Sequence, residues 1–126
     1  MRYIGLDLHK TKLQVCYLEN RGEKIKYTHK SFTFEEFEQF KASLSPEDYL
    51  AFETANHSGW MYHQCKNLVA KIIVLDPYKF RIIADSNKKT DEIDAKAIAY
   101  YLSLEGFELP ATKVKTQKEQ DIRPLA

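Results

Sequence analysis

Cysteine is nearly missing: Cys16 and Cys65 are the only two in 126 residues, far apart and outside any C-x-x-C or Cys/His grouping. That excludes a zinc-ribbon site and a disulfide framework, and both thiols are expected to be reduced and buried. Long apolar runs are lacking too. No stretch approaches the roughly 18 consecutive apolar residues of a membrane span. The apolar segment behind Met1 and Arg2 is broken by Asp7, His9 and Lys10, so it makes no signal peptide. The expected protein is soluble and cytoplasmic, with no membrane contact. Neither charge dominates: 19 Lys and Arg stand against 18 Asp and Glu, a formal net charge of +1. A domain that held duplex DNA by electrostatics alone would be far more basic. Local excesses of lysine at residues 10 and 12, 24 and 26, 88 and 89, and 113, 115 and 118 read as solvated surface unless something else recruits them. Internal repeats and low-complexity tracts are also missing.

What is present suits one domain, since a chain of this length buries about two-thirds of its unfolded surface. Residues 3–8 form a short apolar run, and Leu13, Val15 and Tyr17 alternate with Gln14 and Cys16, which predicts two hairpin-linked strands. A turn is expected at Asn20, Arg21 and Gly22, then a half-exposed strand marked by Ile25 and Tyr27. Thr33 with Glu36 three residues on is a capping-box pattern that opens an amphipathic helix of about ten residues, carrying Phe34, Phe37 and Phe40.

Residues 49–52 predict a buried strand that ends at Glu53, and the next helix starts near Ser58 with Trp60, Met61, Cys65 and Leu68 on its apolar face. A β-branched run at 72–75 is a fifth strand, stopped by Asp76 and Pro77. A short helix over 78–84, a polar loop over 85–89 and a longer helix capped by Thr90, with Ile93, Ala97, Ile98 and Tyr101 on one face, complete the pattern. Gly106 and Pro110 end that helix. This order resembles an α/β RNase H-like fold: a mixed five-stranded sheet, its first three strands antiparallel, with flanking helices. Residues 1–110 are expected to form the domain. Past Pro110 the composition turns to lysine, threonine, glutamine and glutamate, so 111–126 read as a linker and the start of a helix cut short.

Four acids stand out. Asp7 interrupts an apolar strand and Glu53 ends another, and a charge in such a place must be paired, metal-bound or at the strand's exposed end. Asp91 and Asp94, three apart at the start of a helix, share one face. Mg²⁺, or Mn²⁺ in its place, takes hard oxygen ligands and keeps several waters, so these acids could hold one or two ions with room for a phosphate. Each acid also has an ordinary role open to it. Asp91 and Asp94 complement a helix N-terminus, Asp7 can end its strand, and Glu53 can cap the next helix. His9 is either surface or a contact to phosphate or metal. Lys10, Lys12, Lys88 and Lys89 flank the acids in sequence and are the candidates for nucleic-acid phosphates.

The residues Gly5-Leu6-Asp7-Leu8-His9-Lys10, Glu53-Thr54, Pro77, and Lys89-Thr90-Asp91-Glu92-Ile93-Asp94-Ala95 with Lys96 to Ala99 resemble the N-terminal domain of DEDD insertion-sequence transposases of the IS-one-ten type and the Piv-like DNA invertases. The likeness covers about residues 1–110 by motif order and spacing, and Lys-Thr-Asp-x-x-Asp-Ala is its most specific element. It carries the family's four acids onto Asp7, Glu53, Asp91 and Asp94. It implies a RuvC-like fold, Mg²⁺ dependence, site-specific DNA recombination, homo-oligomers of the full-length protein and, in some members, a guide RNA encoded by the element. It also implies a further C-terminal domain with a nucleophilic serine, so Ser58 is not that residue, and residues 1–126 are expected to be a truncated piece, inactive alone. Two details depart from the family: Ala55, Asn56 and His57 precede Gly59 and Trp60 after the Glu-Thr element, and Asp76-Pro77 replaces Asn-Pro. Other readings are a stand-alone nuclease of the Holliday-junction-resolvase kind and a non-catalytic module that binds RNA or protein. An actin-like ATPase is disfavoured because Leu8-His9-Lys10-Thr11 lacks a glycine-rich phosphate turn.

Overall fold

Alternating side chains draw the start of the chain into an antiparallel meander of β1 (Arg2–Leu8), β2 (Lys12–Arg21) and β3 (Lys24–Thr33). The structure, a computed structural model, describes residues 1–53, 58–85, 95–105 and 110–111. Asn20 and Arg21, expected in a turn, belong to β2, and Gly22 and Glu23 alone reverse the chain. Gly22 has a φ of 64°, the left-handed value that a two-residue hairpin loop asks of a glycine at its first central position. β3 outlasts its own hydrophobic pattern. Its backbone pairs with β2 from Lys24 opposite Arg21 to Thr33 opposite Lys12, while most of its side chains face solvent.

Thr33 opens the first helical segment as its spacing predicts, its backbone N–H donating to Glu36 Oε1 at 2.8 Å. One 3-10 turn (Phe34–Glu36) leads into α1 (Phe37–Ala42). Then come β4 (Tyr49–Glu53), α2 (Ser58–Cys65), β5 (Lys71–Leu75), α3 (Pro77–Asp85) and α4 (Ala95–Glu105). The strands make one sheet in the order β3-β2-β1-β4-β5, in which β4 runs parallel to both β1 and β5. This is the mixed α/β arrangement of an RNase H-like fold.

The sheet is covered on both faces. Ile4, Leu6, Leu13, Val15, Leu50 and Phe52 pack against Phe37, Phe40, Met61 and Cys65 of α1 and α2. On the opposite face Ala51, Ile73 and Leu75 meet Phe80, Ile98 and Leu102, and Cys16 and Leu18 meet Ala95 and Ala99. Each large apolar side chain enclosed this way contributes roughly 1.5–3 kcal/mol. Both cysteines are buried thiols.

Trp60 departs from its expected place. It is 44% exposed and leans on Phe37 with ring centroids 4.6 Å apart. The buried face of α2 is centred on Met61 and Cys65, one turn apart, so Trp60 falls at its rim. Leu68 lies past the last residue of α2 and so cannot share that face.

Asp76 caps α3, its Oδ1 accepting from the backbone N–H of Tyr78 at 3.0 Å and of Lys79 at 3.2 Å. Pro77 fills the first helical position, where no donor is needed. The Asp76 N–H donates to Pro110 O at 3.1 Å, and Leu75 bridges to Ala111, so the outer end of β5 is partly covered. The expected start of the last helix at Thr90 lies outside the described residues. Among those described, no helix is long and apolar enough to cross a membrane.

Candidate metal and nucleic-acid site

Period-two alternation decides which acids can meet. In β1, Ile4 and Leu6 enter the core beneath α1 and α2, which turns Tyr3, Gly5 and Asp7 to the face that α4 covers. In β4, Leu50 and Phe52 take the first face while Tyr49 and Ala51 take the second, so Glu53 also belongs to the α4 side. Gly5 stands opposite Ala51 and Leu6 opposite Phe52. The paired residues end there, and the same register continued by one residue would set Asp7 beside Glu53. Neighbouring strands lie about 4.8 Å apart. Two acids therefore share one face at the carboxyl ends of adjacent parallel strands, the edge at which open α/β sheets bind ligands.

The two carboxylates differ in setting. Asp7 is 29% exposed, and its Oδ2 lies 3.2 Å from Nε2 of His9, itself 40% exposed. His9 is thus an exposed residue of the turn that pairs with Asp7. Glu53 is half-buried at the end of its strand, with Oε2 enclosed.

α4 crosses above this edge. Gly5 has no side chain, and the backbone of Ala95 and Ala99 passes directly over it. Beside Asp7 a cleft of about 200 Å³ is lined by Asp7, Gln14, Val15, His29, Ala95 and Lys96. Gln14 faces Asp7 across the hairpin. His29 Nε2 lies 4.0 Å from Cys16 Sγ, and Lys96 Nζ sits 4.8 Å from the centre of the Tyr27 ring. Local sequence pattern does not single out Gln14, His29 or Lys96. Gln14 could have been found from the hairpin register with Asp7, but His29 becomes visible only once β2 and β3 are aligned residue by residue.

Lys10, in the connection after β1, and Lys12, the first residue of β2, are both exposed. Asp91 and Asp94, with Lys88 and Lys89, lie outside the described residues. Asp94 is bonded directly to Ala95, the first residue of α4. Among the described residues, no group of three His, Cys, Asp or Glu side chains gathers to hold a metal.

Compared with known proteins, the chain matches no curated protein. A family model described as a transposase matches residues 4–126. With that match over nearly its whole length, the chain belongs to the DEDD transposases of the IS110 (IS-one-ten) type.

Proposed function

We propose that Asp7, Glu53, Asp91 and Asp94 hold a divalent cation, Mg²⁺ or Mn²⁺, and that this domain serves DNA strand cleavage and transfer. The observation that carries the reading is the parallel β1–β4 register, which pairs Gly5 with Ala51 and Leu6 with Phe52 and, continued by one residue, would bring Asp7 beside Glu53 on one sheet face. Adjacent carboxylates repel each other unless a proton or a cation intervenes. The donor set fits such a cation, because half-buried carboxylate oxygens are the hard ligands it takes. Membership of a transposase family supports DNA as the partner.

When bound, the ion supplies electrostatic stabilisation to the attacking and leaving oxygens of displacement at phosphorus. The chain's own residues do the positioning. Asp7 and Glu53 offer oxygens from rigid strand ends, and His9 restrains the Asp7 carboxylate. Lys10, in the connection after β1, and Lys12, at the start of β2, are exposed lysines suited to hold phosphates. Strand transfer is proposed for the protein joined to a further domain that supplies the nucleophilic serine.

Thermal melting with and without Mg²⁺ or Mn²⁺ tests the metal site. A cation that binds only the folded chain adds about 2.7 kcal/mol when present at about 100 times its Kd. Melting should rise in wild type and stay put in Asp7→Asn. Identical wild-type curves with and without saturating metal would overturn the proposal.

A further inference from the structure

Gly5 lies on the α4 side of β1, two residues before Asp7. A Cβ placed there would run into the carbonyl oxygen of Ala95 and would lie 2.7 Å from Ala99 N and 3.0 Å from Ile98 Cβ. The first two are helix backbone, so no rotamer change can make room. The helix itself would have to lift. Ala95 and Lys96 of α4 also line the cleft beside Asp7, so any displacement here acts directly on the surroundings of that acid.

We propose that Gly5 is a positioning residue: by lacking a side chain it sets the separation between the N-terminal end of α4 and Asp7, and so sets the cation affinity of the acid site. The inference rests on the metal reading above.

Two thiols provide a gauge of that separation. Cys16 pairs with Gly5 across the β1–β2 ladder, is fully buried, and packs beneath Ala95 and Ala99. Cys65 is fully buried on the opposite face, in the core that α2 covers. Lifting α4 uncovers the first thiol and leaves the second covered.

The experiment compares the 126-residue wild type with Gly5→Ala and with Leu102→Ala. Leu102 is fully buried on the same helix, away from the Gly5 contact, so its truncation lowers stability without wedging the N-terminal end. Mn²⁺ affinity is measured by calorimetry, and alkylation of each cysteine is followed by peptide mass mapping in metal-free buffer. Gly5→Ala should weaken Mn²⁺ binding about tenfold or more, the scale on which misplaced supporting groups act at metal sites. It should also speed alkylation of Cys16 and not of Cys65. Leu102→Ala should bind Mn²⁺ like wild type.

Unchanged affinity in Gly5→Ala would overturn the inference, as would an equal loss in Leu102→Ala. If Gly5→Ala exposes both thiols, the whole fold has opened, and Cys16→Leu, which wedges the same helix from the adjoining strand, decides in its place. Weakened Mn²⁺ binding in that variant supports the role, and wild-type binding ends it. Failure of wild type to bind Mn²⁺ overturns the metal reading and this inference together, whereas wild-type binding with an unaltered Gly5→Ala removes this inference alone.

Discussion

Arg2 grips Asp48 with two hydrogen bonds, Nε to Oδ1 at 3.0 Å and Nη2 to Oδ2 at 2.6 Å. The pair ties the start of β1 to the loop ahead of β4, at the end of these strands opposite Asp7 and Glu53. Asp48 is 2% exposed, and its Oδ2 also accepts from the backbone N–H of Ser45 at 2.7 Å. The guanidinium gives a further bond to Ser43 O at 2.7 Å and lies 5.0 Å from the centre of the Tyr17 ring. Hydrogen bonding to Asp48 raises the Arg2 pKa above its ordinary value.

Removing Arg2 would leave a buried carboxylate without its cation. Arg2→Ala should therefore lose about 2–4 kcal/mol of stability in urea denaturation, somewhat under the 3–5 kcal/mol range for a wholly buried pair because the Arg2 side chain is 28% exposed. A loss below about 0.5 kcal/mol, the size of an ordinary surface change, would show that the pair does not fasten these two strands.

Burial pushes the Cys65 thiol from its ordinary 9.0 up to about 12, against a smaller lowering by Lys41. The unfolded thiol gives up its proton near pH 9, whereas the folded one keeps it to about pH 12. The stability that this burial confers is complete below pH 9 and is lost as pH climbs through the window between the two values. Burial of Tyr17 also raises its pKa and adds a loss of the same sign. Denaturation followed from pH 8 to pH 11 should show a steeper fall in wild type than in Cys65→Ala. Parallel curves would mean that the thiol does not contribute.

Charge reversal at Lys10 and Lys12 should weaken DNA binding while leaving Mn²⁺ affinity nearly intact, because both side chains are exposed next to the acids. Each lost phosphate contact should flatten the salt dependence of log Kd by about one unit. Binding to DNA with the wild-type salt slope would remove both lysines from the interface.

Much of this architecture is legible in local pattern. β1 and β4 announce themselves as apolar runs closed by an acid, and Thr33 with Glu36 marks the entry to α1. What local pattern does not carry is register. That β1 pairs with β4, which brings the strand ends carrying Asp7 and Glu53 together, depends on strands separated by all of β2, β3 and α1, and no window of sequence contains it. β3 shows the same limit at its far half, where solvated side chains conceal a backbone that stays fully paired. Trp60 misleads for a different reason: a two-turn helix has a narrow buried face, and one residue of rotation takes a large ring to the rim. Asp7 and Glu53 stand out in sequence because charge amid apolar neighbours is anomalous. Gln14 and His29 do not, since polar residues on half-exposed strands are commonplace.

β1 is hydrogen-bonded to an antiparallel neighbour on one edge and a parallel one on the other. A ribosome releases the meander first, and its short-range contacts let it form early. Until β4 emerges, the second edge of β1 stays bare and Asp7 has a neighbouring strand only on its β2 side. A stalled chain that ends before β4 thus presents an open template on which another nascent copy can add. Completion of the acid edge is for this reason a late event in the life of each molecule.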